Sequence, residues 1–189
     1  GAVKDRGGTV ALSGLGADEL FGGYPNFRRI PKLQRLLSAI AWLPASVRQA
    51  AAILLAPLPR SKRSKAMDLV LRGASALELA VLSRRLHDDA TLRLFGFNAK
   101  RLGLSADYLP EEAYAPFDTA CHDSFRAISE AEATLYMGNT LLRDSDVNGM
   151  AHSLEIRVPF LGKKVVEYAY SLPGTTRMPP GTAGKHLLR

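Results

Sequence analysis

The chain has 189 residues, 47% of them hydrophobic and 23% charged, enough to bury one core but short of two comfortable domains. Its single cysteine, Cys121, excludes an intrachain disulfide framework and fits a reducing compartment, so a cytoplasmic location is expected. The net charge is +7; the nearest approach to a membrane segment, Ala50 to Leu58, is far too short to span and is broken by Pro57 and Pro59, and nothing at the start resembles a signal peptide.

Thr9 to Leu12 lack polar alternation and read as a strand buried on both faces. The turn Ser13-Gly14-Leu15-Gly16 then opens a helix whose first turn carries Asp18 and Glu19. In open α/β sheets, ligands bind just beyond the carboxyl ends of strands, where small residues let backbone N–H groups approach an anion. Acids in a first turn also favour the helix dipole with no ligand near, so the pattern alone leaves both readings open.

Downstream the chain reads as mostly helical. Ile30, Leu33, Leu36, Leu37 and Ile40 keep one apolar face, and Pro44 stops that helix. Val47 to Leu55, Met67 to Leu71 and Leu77 to Leu86 read as short amphipathic helices, and Pro110-Glu111-Glu112 as a helix start. A longer helix is predicted from Ser129 towards Leu154, followed by an extended turn at Arg157-Val158-Pro159. Gly96 to Ser105 and Pro173 to Gly184 read as loops.

The basic excess clusters at Arg28, Arg29, Lys32 and Arg35 and again at Arg60, Lys62, Arg63 and Lys65. Such patches can hold nucleic-acid phosphates. Aromatic residues do not interleave with the second cluster and no nucleic-acid motif appears, so a solvated face is the expectation and no nucleic-acid partner is assigned.

Three blocks carry a family resemblance. Gly16-Ala17-Asp18-Glu19-Leu20-Phe21-Gly22-Gly23-Tyr24 resembles the signature of the synthetase domain of the glutamine-dependent asparagine synthetase family. Leu141 to Asp146 with Met150 to Leu161, and then Gly184-Lys185-His186-Leu187-Leu188-Arg189, fit the same family in the same order. The resemblance implies an α/β fold of the PP-loop ATP-pyrophosphatase type, doubly wound, here as a helix-rich fragment with one clear strand. It further implies that residues 1–189 are a partial synthetase domain, with the glutaminase domain and the adenylate-binding Ser-Gly-Gly-x-Asp-Ser loop absent.

In that family ATP activates the side-chain carboxylate of aspartate as an acyl-adenylate, and ammonia from a glutaminase domain displaces AMP to give the amide. The resemblance thus implies ATP and Mg²⁺ as cofactors, with aspartate or a related acid as substrate. Ser13 and Gly14 would contact the nucleotide, Asp18 would hold magnesium-pyrophosphate, and Lys185 would reach the phosphates; Asp18 and Lys185 are the candidate catalytic pair. A carboxylate beside a phosphate acts only through a bridging cation, and a lysine stabilises charge directly as the pyrophosphate leaves.

Met150, Ala151, Glu155 and Arg157 fall in the region the resemblance sets beside the acyl-adenylate and the ammonia path. Arg143, Asp146 and Met150 share a helix face, His152 reads as a packed or hydrogen-bonded helix histidine, and Glu155 and Arg157 are expected to orient the turn through an ion pair or backbone bonds. Three positions depart from the family pattern. Leu15 stands where a glutamate supports amide synthesis, Gly162 where an aspartate is usual, and Gly149 where a serine is usual. A leucine cannot accept a proton. A related ligase such as a β-lactam-forming synthetase, and a non-catalytic fragment or binding module, therefore stand as alternatives, and a homodimer is possible because a lone apolar strand invites association.

Overall fold

The computed structural model describes residues 3, 6–44, 46–48, 50, 75–84, 96, 117 and 123–189. The chain divides into two units, Gly1–Phe27 with Cys121–Arg189, and Arg28–Ala120.

In the first unit the strand β1 (Val10–Leu12) pairs in parallel with β2 (Glu155–Arg157), in the register Val10 to Glu155, Ala11 to Ile156 and Leu12 to Arg157. The backbone extends the pairing at both ends: Glu155 N–H donates to the Thr9 carbonyl at 2.9 Å and Ser13 N–H to the Arg157 carbonyl at 2.8 Å. Two expectations are corrected here. The segment read as an extended turn begins as a second strand, because Glu155, Ile156 and Arg157 alternate polar and apolar as a half-buried strand does. And β1 is not buried on both faces: Val10 is 40% and Leu12 75% exposed, and only the Ala11 side is partly covered, since among the described residues this sheet has two strands.

After β1 the chain turns into the five-residue helix α1 (Ala17–Phe21). Gly16 precedes it at φ 93°, and a Cβ there would lie 2.5 Å from Leu161, so the turn needs glycine for both conformation and space. The helix ends at Gly22, also left-handed at φ 73°. Leu20 and Phe21 then bury against Ala169, with Phe160, Val166 and Tyr170 packed around them. The Phe21 and Phe160 rings meet edge-on at 6.3 Å, a geometry set by the ring quadrupoles.

The long helix predicted from Ser129 begins earlier, as α4 (Ser124–Ala131), because Asp123 caps it by accepting from Phe125 N–H at 2.9 Å and Arg126 N–H at 3.3 Å. Glu130 pairs with Arg126 at 2.8 Å, and buried Glu132 accepts from the Asn26 side-chain amide at 2.8 Å. The helix continues through a π-helical stretch, Glu132–Leu141, into α5 (Leu142–Ala151). The 3-10 turn Pro159–Leu161, α6 (Lys163–Ser171), α7 (Gly174–Arg177) and a 3-10 turn at His186–Leu188 complete the unit. Thus the stretch read as a loop from Pro173 opens with a helical turn, whose Gly174 N–H donates to the second oxygen of the Asp123 cap at 2.9 Å.

The helix α2 (Asn26–Ala41) starts in the first unit and runs into the second; Pro31 lies inside it and forfeits one N–H of the ladder. Ile30 and Leu37 are buried, whereas Leu36 and the basic cluster Arg28, Arg29, Lys32 and Arg35 are exposed. The second unit also contains α3 (Ala76–Arg84); the last two residues of the helix read at Leu77 to Leu86 lie outside the described residues. Ser75 and Glu78 bond reciprocally at its start, Ser75 N–H to the Glu78 carboxylate at 2.7 Å and Glu78 N–H to the Ser75 hydroxyl at 3.2 Å. The helices read at Met67 to Leu71 and Pro110 to Glu112, most of Val47 to Leu55 and of the loop Gly96 to Ser105, the second basic cluster and Cys121 lie outside the described residues. No described helix is long and apolar enough to cross a membrane.

Candidate functional site

The turn from β1 to α1 holds Ser13 half-buried and Gly14 exposed. The Ser13 hydroxyl accepts from Leu15 N–H at 3.3 Å, a local bond that shapes the bend. Asp18 and Glu19, adjacent in sequence, part company in space because a helix turns about 100° per residue. Glu19 is buried and accepts from the Tyr24 hydroxyl at 2.7 Å, which gives it a packing role. Asp18 leaves about a third of its side chain exposed, and its Oδ1 lies 2.9 Å from the Lys185 ammonium.

Distant parts of the chain build this pair. Lys185 sits 167 positions after Asp18 and enters through a left-handed residue, φ 58°, that caps a single 3-10 turn rather than opening a regular helix. Its backbone N–H donates to the Phe21 carbonyl at 2.9 Å, which seats the lysine at the end of α1. Two glycines make room. The Asp18 carboxylate occupies the space a Cβ on Gly23 would fill, and a Cβ on Gly184 would stand 2.5 Å from the Gly22 carbonyl oxygen.

The segment after α5 reaches the same turn through its backbone. The Arg157 carbonyl accepts from Ser13, and Leu161 and Phe160 lie against Gly16. The Glu155 and Arg157 side chains form the expected ion pair at 2.8 Å. Both are exposed. The hydrogen bond from Arg157, then its charge, holds the Glu155 carboxyl below its ordinary pKa, and the same contacts raise that of Arg157. Met150 and Ala151, at the end of α5, face solvent, Met150 at 65% exposure, as does His152. Arg143 and Asp146 are exposed as well. Gly149 is buried, and a Cβ there would be 2.8 Å from the Leu154 carbonyl oxygen, so a serine at this position would not fit the observed backbone.

Among the described residues no group of three or more His, Cys, Asp or Glu could hold a metal ion. A lone carboxylate suits Mg²⁺ that arrives with substrate phosphates, since Mg²⁺ keeps several waters and takes one or two protein carboxylates beside phosphate oxygens.

The family model for asparagine synthase matches residues 1–189, the whole chain. The chain belongs to the asparagine synthase family. It is 29% identical over 187 residues to asparagine synthetase [glutamine-hydrolyzing] 1 of Bacillus subtilis (strain 168), covering 96% of this chain and 27% of that protein. It is 31% identical to putative asparagine synthetases [glutamine-hydrolyzing] of Mycobacterium bovis and Mycobacterium tuberculosis, covering 95% of this chain and 26% of each. The chain thus spans about a quarter of the length of the curated relatives it matches. No solved structure matches it significantly.

Within this family member, sequence reasoning missed the residues behind the pair. Ser129 and Arg177 have no motif around them, and their relation to α1 arises only on folding. Gly23 and Gly184 stood inside the quoted blocks, where the paired glycines Gly22-Gly23 and the glycine beside Lys185 were the available signal.

Proposed function

We propose that this segment serves ATP-dependent amide formation in an asparagine synthetase-type amidotransferase, as the later part of a synthetase domain of the doubly wound PP-loop ATP-pyrophosphatase class. The supporting observation is the half-exposed Asp18–Lys185 pair beside the turn that leaves the carboxyl end of β1. The parallel pairing of β1 and β2 suits that class of sheet, in which parallel strands need long crossovers.

ATP is a substrate in this reading, with aspartate or a related acid as the second. A side-chain carboxylate oxygen attacks the α-phosphorus and pyrophosphate leaves; ammonia from a glutaminase domain then attacks the acyl carbon, AMP leaves and a proton passes to solvent. Bound Mg²⁺ supplies neutralisation of the phosphate charge. Asp18 is the residue that would hold it, and Lys185, turned from Asp18, donates to the phosphate oxygens. Ser13 and Gly14 are assigned to the nucleotide, and Met150, Ala151, Glu155 and Arg157 to the acyl side and the ammonia path. The 189-residue segment lacks the adenylate-binding motif and is expected to release no pyrophosphate alone.

Leu15 favours a second reading. With no group there to take a proton or hold an ammonium-like nucleophile, the acceptor can be an amine other than ammonia, as in a related ring-closing ligase.

Pyrophosphate exchange by the full-length protein tests the assignment. Lys185→Ala should raise the barrier by up to about 3 kcal/mol, the scale of a lost charge stabiliser. Asp18→Asn should weaken the Mg²⁺ dependence. Wild-type rates in both variants would reduce the two residues to helix-end charges and favour a non-catalytic module.

A further inference from the structure

An isolated five-residue helix has no stability of its own, because nucleation costs more than one turn of hydrogen bonds returns. It also leaves its last carbonyls without partners. In α1 the Asp18 carbonyl is met by the residues that close the helix, and the last three are met from distant parts of the chain. Gly23 N–H donates to the Asp18 carbonyl at 2.8 Å, and Lys185 N–H to that of Phe21 at 2.9 Å. Between them, the Ser129 hydroxyl donates to the Glu19 carbonyl at 2.8 Å, and Arg177 Nη1 to the Leu20 carbonyl at 3.4 Å.

The two side-chain donors are unusual in their burial. Ser129 and Arg177 are both fully buried, at 0% exposure. The guanidinium lies 4.5 Å from the centre of the Phe125 ring and 5.3 Å from that of Tyr170. Its Nε and Nη2 have no hydrogen-bond partner among the described residues. Keeping a charge buried with two N–H groups unmet is costly, and an apolar side chain of similar length would fill the space more cheaply. What an apolar residue cannot do is donate to Leu20.

We infer that Ser129 and Arg177 are positioning residues, which hold the end of α1 so that the Asp18 carboxylate stays facing Lys185. This rests on the reading of Asp18 and Lys185 given above. Ser129 acts from α4 and Arg177 from α7, so two elements that present no group to the pair set its geometry. Tyr170 supports the arrangement, its hydroxyl 3.3 Å from Ser129 Oγ and its ring on the guanidinium.

The test uses the full-length protein with Ser129→Ala, Arg177→Met and Arg177→Lys, read by amide hydrogen exchange at Gly23 and Lys185 and by the Mg²⁺ concentration for half-maximal pyrophosphate exchange. Ser129→Ala and Arg177→Met should each speed exchange at both amides and raise the Mg²⁺ requirement by roughly two- to tenfold, the scale of one hydrogen bond. Arg177→Lys, which retains a donor, should recover part of each change. If Ser129→Ala does not fold, Arg177→Met still decides, because an apolar side chain of similar length fills the space without a buried charge. Wild-type amide exchange and Mg²⁺ requirement in Arg177→Met would overturn the inference, even if its melting temperature moved. Accelerated amide exchange combined with an Asp18→Asn protein of unchanged Mg²⁺ requirement would uphold the clamp on α1 and overturn the metal role of Asp18.

Discussion

Gly184 approaches the Gly22 backbone so closely that a Cβ on it would stand 2.5 Å from the Gly22 carbonyl oxygen and 3.3 Å from the Gly23 Cα. Lys185, the next residue, is thereby brought over Asp18, and its left-handed backbone is the geometry that closes the approach.

Gly184→Ala should therefore act on the pair without touching either charge. Backbone cannot yield as a flexible side chain does, so the contact opens, at a cost of about 1–3 kcal/mol typical of overpacking. Differential scanning calorimetry should show a lowered melting temperature, and pyrophosphate exchange should fall with it. A variant of native stability and rate would mean that the lysine reaches its place without this contact.

Leu15 offers a gain-of-function experiment. Leu15→Glu in the full-length protein should raise aspartate-dependent amide formation, because it supplies the acid that the family pattern sets between the two glycines. Amide formed per pyrophosphate released is the quantity to follow. No increase, with exchange intact, would favour an acceptor other than ammonia.

The core beneath α1 carries a pH dependence. Burial, the largest influence, raises the Tyr170 pKa, while the hydrogen bond with Ser129 pulls the other way. A pKa raised on folding means that the folded state holds the proton more tightly, so stability is complete below the unfolded value of about 10 and is lost as pH rises through the folded one. Chemical denaturation at rising alkaline pH should show this loss, and Tyr170→Phe should flatten it. Burial lowers the Arg177 pKa in the same cluster, in keeping with a cation held away from water.

The exposed side of β1 should govern association of the 189-residue chain. Leu12 at 75% and Val10 at 40% exposure present an apolar strip on a sheet that has two strands among the described residues. Light scattering should show self-association that Leu12→Ser reduces. A monodisperse monomer, with residues 9 to 13 protected from hydrogen exchange, would exclude this surface as the cause.

Local chemistry accounts for what was legible in the sequence. Glycine at positions 16 and 22 announces backbone that other residues adopt with strain, Asp18 and Glu19 mark the opening of a helix, and the blocks around Met150 and Lys185 carry the family signature. The helix from Ile30 to Ile40 and the Glu155–Arg157 pair were legible for the same reason, since period and short-range charge spacing involve neighbours in the chain. The start of α4 at Ser124 carried a local signal in its cap, Asp123, whereas the bond from Gly174 to the second oxygen of that cap arises only on folding.

Tertiary structure alone decided which acid faces Lys185, which is buried under Tyr24, and which donors close the end of α1. Those partners lie between 5 and 167 positions apart in the chain, and no local pattern encodes a contact whose free energy comes from burial and from satisfying carbonyls that a five-residue helix leaves open. Sequence determined which residues stand at the turn; folding determined that Asp18, rather than Glu19, faces Lys185.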